Sequence, residues 1–122
     1  MHYTFKKHEH LKSKKIFASL FANGKKIKRF PVLMVYMQTE LTEDVPVQAG
    51  FSVSKRRFKH AVDRNRIKRQ MREAYRLLKP ENDTDNSAQI ALVFIYIHHQ
   101  KLPFSQIKQA VQQCLAELKT SN

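Results

Sequence analysis

The stretch VQAGFSVSKRRFKHAVDRNRIKRQMREAYRLL, residues 47–78, changes its periodicity halfway. Val47, Ala49, Phe51 and Val53 alternate with small or polar residues, the period-two pattern of a strand with one buried face. Further on the apolar residues recur at helical spacing. At about 100° per residue, Ile67, Met71, Ala74 and Leu78 fall within one narrow sector. The spacing predicts a helix from about Arg57 to Leu78, halted ahead of Pro80 because the residue before a proline is pushed out of the helical region.

The flanking segments supply what such a strand and helix must pack against. SKKIFASLFANG (13–24) reads as a short helix capped by Ser13, with Ile16, Phe17, Leu20 and Phe21 as one apolar stripe. Gly24 is placed where a left-handed C-terminal residue would sit. RFPVLMVYMQ (29–38) is rich in β-branched and aromatic residues and predicts a strand, with Pro31 at an edge or outside the pairing because it has no N–H to donate. TELTEDVP (39–46) is an acidic connecting loop, and ENDTDNSA (81–88) a polar one. QIALVFIYIH (89–98) is apolar on both faces, as a central strand beside a parallel partner must be. Ile107, Ala110, Val111, Cys114, Leu115 and Leu118 mark an amphipathic C-terminal helix introduced by Pro103 and Ser105. The order is α-β-β-α-β-α, with room for a further short strand near Lys26 to Phe30. It predicts an α/β sandwich around one mixed, mostly antiparallel sheet, a single domain over 1–122 with a mobile segment at 1–10 and a tail at 120–122.

Charge narrows the function. The formal net charge is +13 in 122 residues, a surplus that repels itself on folding and calls for a polyanion. It is also localised. Residues 55–79 hold eleven Lys and Arg against Asp63 and Glu73 alone, a net +9. Arg64, Lys68 and Arg72 follow one another at i, i+4 and i+8, an arrangement that weakens a helix by a few tenths of a kcal/mol per pair. A helix kept only for solubility would mix its signs. Guanidinium forks match phosphate oxygens, and Asn65 adds a group that both donates and accepts. Such chemistry grips a nucleic-acid backbone without reading its sequence.

Other classes are disfavoured. One cysteine allows neither an internal disulfide nor a multi-cysteine zinc site and suits a reducing cytosol. The polar N-terminal MHYTFKKHEH lacks a signal-peptide core, and the longest apolar run, Ile90 to Ile97, is too short to span a bilayer. The six histidines show no ligand spacing, no carboxylate pair is placed for two-metal hydrolysis, and no Gly-rich phosphate loop exists. A self-sufficient active site is therefore not expected. A membrane-surface protein would leave large apolar residues free opposite its basic face, and here those residues are needed for the sheet.

GFSVSKRR, six residues, then RNRIKRQMREAYR resembles the signature of the bacterial ribonuclease P protein subunit, and IFASLFANG resembles that family's first helix. The resemblance extends over about 110 residues and implies a ribosomal protein S5 domain 2-like fold with a left-handed β-α-β crossover through the basic helix. It implies a protein cofactor that assists a catalytic RNA, with its Mg²⁺ bound mainly by that RNA, in removing the 5′ leader from precursor tRNA in the cytoplasm. Carried over by position, the RNA-binding set is Lys55, Arg56, Arg57, Arg64, Asn65, Arg66, Lys68, Arg69 and Arg72. Phe17, Phe21 and Tyr36 would line a cleft for the single-stranded leader, since unpaired bases stack on aromatic rings with little regard to sequence. Periodicity alone assigns Phe17 and Phe21 to the core, and core is the simpler role for Phe21. His10-Leu11 departs from the family's usual Arg-Leu, the acidic loop 39–46 is outside the signature, and no strongly basic run closes the sequence. A structural ribosomal protein or RNA chaperone is the alternative; it predicts basic residues spread over several faces.

Overall fold

The most apolar stretch of the chain forms the middle of the sheet. In the computed structural model, which describes residues 7–41, 45–79 and 89–120, β4 (Ile90–Tyr96) lies between β2 (Val32–Gln38) and β3 (Val47–Val53), and β1 (Lys25–Arg29) joins the outside of β2. The β1–β2 and β2–β4 pairs are antiparallel and the β3–β4 pair is parallel. Parallel neighbours cannot be joined by a tight turn, and α2 (Ala61–Leu78) makes the crossing. α1 (Lys14–Asn23) precedes the sheet and α3 (Phe104–Thr120) follows it.

Both faces of β4 are covered. Leu92, Phe94 and Tyr96 meet α2 and α3, together with Met34 and Tyr36 of β2. Ala91 and Val93 meet Leu20 of α1, with Val35 and Leu11. Ile67, Met71, Ala74 and Tyr75 of α2, and Ile107, Ala110, Val111 and Cys114 of α3, are at most 3% exposed. Each of the larger ones contributes about 1.5–3 kcal/mol. Burial pushes the Cys114 thiol up to about 11, so at neutral pH it is a small apolar filler.

Three details differ from expectation. The further short strand expected near Lys26 to Phe30 is present as β1, and the strand expected from Arg29 starts only at Val32, because Phe30 and a cis Pro31 turn the chain between the two. Pro31 still offers a carbonyl, which accepts from the Ile97 N–H at 2.9 Å. α2 starts at Ala61 and not at Arg57, because Phe58 is drawn into the core beside Tyr96. Its end at Leu78 agrees; Pro80 lies outside the described residues. Gly24 has φ −70° and ψ 153°, extended rather than left-handed. It is glycine for space: a Cβ there would lie 2.6 Å from both the Leu20 carbonyl oxygen and Val35 Cγ1.

Of the N-terminal segment expected to be mobile, residues 1–6 lie outside the described residues. Lys7–Glu9 form a 3₁₀ turn docked on β3. The Leu11 N–H donates to Ala49 O at 2.9 Å, Gln48 Nε2 donates to His8 O at 2.9 Å, and Glu9 pairs with Lys79. These contacts cover the outer edge of β3. The outer edge of β1 carries Lys25, Lys26 and Lys28, all exposed, which discourages edge-to-edge association.

Gly24→Ala is expected to destabilise the protein by about 1–3 kcal/mol through overpacking against backbone. The check is a urea midpoint that falls with an unchanged m-value; an unmoved midpoint would mean that the α1–β1 corner relaxes freely.

Candidate nucleic-acid interface

β3 ends at Val53, and the next five residues form a compact basic turn. The Ser54 carbonyl accepts from the Arg57 and Phe58 N–H groups at 3.2 and 3.1 Å, and Ser54 Oγ accepts from the Arg56 N–H at 3.0 Å. Phe58 is buried, its ring 5.9 Å from that of Tyr96. With the serine at one end and the phenylalanine at the other, Lys55, Arg56 and Arg57 have only the outside to occupy, and all three are exposed.

α2 continues the surface. Its sheet-facing sector is filled by Ile67, Met71, Ala74 and Tyr75, which turns Asn65, Arg66, Arg69 and Arg72 into solvent, with Arg64 and Lys68 half-buried at the flank. The acidic residues of the segment are already engaged. Asp63 pairs with Lys101 at 2.8 Å and Glu73 with Arg76 at 2.6 Å. The hydrogen bond from Lys101 holds the Asp63 carboxyl below the usual carboxylate range, and that from Arg76 does the same for Glu73. Of the eleven Lys and Arg between 55 and 79, Arg76 and Lys79 have carboxylate partners. That leaves the nine from Lys55 to Arg72 with none among the described residues, gathered on one turn–helix corner.

The opposite face of the sheet offers a different surface. Registered across the four strands, Lys28, Leu33, Ile95 and Ser52 form one row. The pleat puts this row on the same face as α1. The adjacent row, Lys26, Val35, Val93 and Gly50, is buried apart from its lysine. None of the first row is buried, so it forms a half-open apolar strip that runs to Ser52, two residues before the basic turn.

Phe17 and Phe21 divide on this face. Phe17 is half-buried against the α1-side cluster, and it fits there because β3 carries glycine beneath it; a Cβ on Gly50 would lie 2.7 Å from Phe17 Cζ. Phe21 is 52% exposed, so its expected place in the core is corrected: Leu20 takes the inward position and is fully buried. Tyr36 is corrected too. It is 7% exposed and belongs to the cluster under α2 and α3, on the far side of the sheet from Phe17. A one-residue change of strand register exchanges faces, and on the α1 face the half-open row carries Leu33 and Ile95.

Among the described residues no three His, Cys, Asp or Glu side chains gather as a metal site. Glu9, Asp63, Glu73 and Glu117 each meet a cationic side chain. Also among the described residues, no helix is long and apolar enough to cross a membrane.

A family profile described as Ribonuclease P matches residues 5–119. The chain belongs to the ribonuclease P protein family. Ribonuclease P protein components similar to it include that of Chlorobium phaeobacteroides, 43% identical over 76 residues that cover 60% of this chain and 52% of the relative. That of Porphyromonas gingivalis is 33% identical over 82% of this chain and 75% of the relative, and that of Symbiobacterium thermophilum 34% over 88% and 89%. The matched segment spans about half the length of the Chlorobium phaeobacteroides relative and of a second, from Chlorobaculum tepidum (52% and 46%). The fold is shared with two solved ribonuclease P proteins. That of Staphylococcus aureus gives a TM-score of 0.72 at 22% identity, covering 93% of this chain and 98% of that one. That of Thermotoga maritima gives 0.65 at 20%, covering 89% and 96%.

Replacing Arg66, Arg69 and Arg72 together by Ala should lower the slope of log K against log salt for a structured RNA by about two to three, close to one per lost phosphate contact. All three are exposed, so the thermal midpoint should hold. A slope that does not move would make the corner a merely solvated surface.

Proposed function

We propose that the chain acts as the protein subunit of a ribonuclease P ribonucleoprotein. The basic corner seats on the phosphates of the catalytic RNA, and the half-open strip beside α1 takes the single-stranded 5′ leader of precursor tRNA. The observation that carries this is the concentration of nine cations, none with a carboxylate partner among the described residues, on one rigid turn–helix corner. A general RNA chaperone or structural ribosomal protein would spread its charge over several faces; here α3 presents Gln106, Gln109, Gln112 and Gln113 to solvent.

In this reading the chain binds and orients RNA, and hydrolysis belongs to the RNA with its Mg²⁺. Phe21 supplies an exposed ring on which an unpaired base can stack, a contact worth about 1–3 kcal/mol per base. Leu33 and Ile95 supply an apolar floor indifferent to base identity, and Lys28 a cation for the phosphate that follows. Ser52 joins that path to the basic turn, so leader and catalytic RNA meet the protein on adjoining surfaces. A cytoplasmic setting follows from the substrate.

Reconstitution with a bacterial ribonuclease P RNA at low Mg²⁺ is the direct test. The protein should stimulate removal of the leader, and no stimulation under conditions where the RNA is folded would sink the proposal. Phe21→Ala should weaken affinity for leader-bearing tRNA by about 5- to 100-fold, the range that loss of one stacked base implies. Affinity for mature tRNA and the thermal midpoint should stay put. Phe17→Ala, by contrast, should lower the midpoint because that ring is packed on Gly50. Equal loss for both tRNAs in the Phe21 variant would remove the leader from the α1 strip.

A further inference from the structure

One cation of the corner is built in differently from the rest. At about 100° per residue, Arg64 precedes Ile67 by about 300° and so lies only about 60° from the buried sector. Its side chain is half-buried, and it runs back beneath the turn that precedes α2. Nη1 donates to two backbone carbonyls, Phe58 O at 2.9 Å and Lys59 O at 2.8 Å. Both Nη1 hydrogens are thereby used, and both bonds are of the stronger, charge-assisted kind. Arg66, Arg69 and Arg72 make no comparable contact among the described residues.

The two carbonyls need a partner. They belong to the residues just ahead of the N-cap, His60, whose side chain makes no capping hydrogen bond. Left open, they would turn two partial negative charges toward the phosphates that the turn is meant to receive. The guanidinium covers them and ties the end of the turn to the first turn of the helix. The start is held by Ser54, the middle by Phe58, and Asp63 is held from the other side by Lys101. Lysine could replace the charge of Arg64 but not its planar fork, which spans two acceptors from one nitrogen while the other nitrogens face elsewhere.

We propose that Arg64 is a positioning residue, which locks the Ser54–His60 turn in the conformation that presents Lys55, Arg56 and Arg57 to RNA, and is not itself one of the phosphate contacts. The inference rests on the RNA-binding function proposed above. It separates the Arg-Asn-Arg triplet into an inner arginine that shapes the surface and an outer one, Arg66, that belongs to it.

Arg64→Lys retains the charge and loses the clamp. With ribonuclease P RNA as the probe, this variant should bind about tenfold more weakly at moderate salt, and its salt slope should fall by about two, because contacts made by the turn are lost. Combining it with Arg56→Ala and Arg57→Ala should add little further loss, since the contacts it would disturb are already gone. Arg29→Lys, the matched control on strand β1 away from the corner, should leave the slope alone. Amide hydrogen exchange should quicken between Phe58 and Arg64 and stay unchanged in β2 and β4. An unchanged slope in Arg64→Lys, or full additivity with the turn variants, would make Arg64 an ordinary phosphate contact. Faster exchange throughout the sheet would make it a general stabiliser, and either result overturns the proposal. Failure of the parent protein to bind the RNA in the same assay would instead refute the RNA-binding function.

Discussion

Parallel pairing of β3 with β4 obliges the chain to leave one end of the sheet and re-enter at the other, and α2 is the element that spans the distance. Its orientation is not free. Ile67, Met71 and Ala74 have no exposed surface, and rotating the helix by one residue would lift them from the sheet at a cost of several kcal/mol. The remaining sector must therefore face water, and that sector is where the arginines stand. Apolar packing on one side of the helix thus fixes where a dense positive charge appears on the other.

The charge is a burden on the isolated protein. Arg64, Lys68 and Arg72 repel along the helix by a few tenths of a kcal/mol per pair, and the acidic residues that could relieve them are turned to other tasks. Glu73 pairs with Arg76 at the far end, Glu9 ties the N-terminal turn to Lys79, and Asp63 braces the loop after β4 through Lys101. The more exposed of these, Glu73–Arg76 and Asp63–Lys101, stabilise by at most about 1 kcal/mol each, so their main effect is geometric. The Glu9–Lys79 and Asp63–Lys101 pairs hold neighbouring segments against the ends of α2, and all three leave its outer face unneutralised. A polyanion that supplies the missing negative charge releases its own counterions in doing so, and folding strain becomes binding energy.

The α1 side is governed by size rather than charge. Gly50 leaves room for Phe17 on β3, and Gly24 leaves room for the corner between α1 and β1. With Leu20 fully buried and Phe17 half-buried, the helix is pinned over the second row of the sheet, and the first row, with Leu33 and Ile95, stays half-covered. Phe21 lies one turn beyond Phe17 and past the edge of that contact. The same helical stripe therefore holds one ring that packs and one that is offered to solvent.

Much of this was legible in order. Alternation in 47–53, the unbroken apolar run of β4, and the apolar sectors of α2 and α3 were all visible, because each is a local pattern with its own period. The Arg-Asn-Arg segment and its strand lead-in were enough to suggest the family and the basic surface. Other features depend on what lies across the sheet and left no local trace. Strand register sent Tyr36 to the face opposite Phe17, since one residue decides between two sides. The depth at which α1 docks made Phe21 an exposed ring, and the pull of Phe58 into the core delayed the start of α2. The same displacement brought two backbone carbonyls within reach of Arg64. Sequence by itself determined which residues carry charge and which seek burial. Tertiary structure decided which of the charged side chains point outward and which are held within the fold, because that depends on the acceptors that distant packing places beside them.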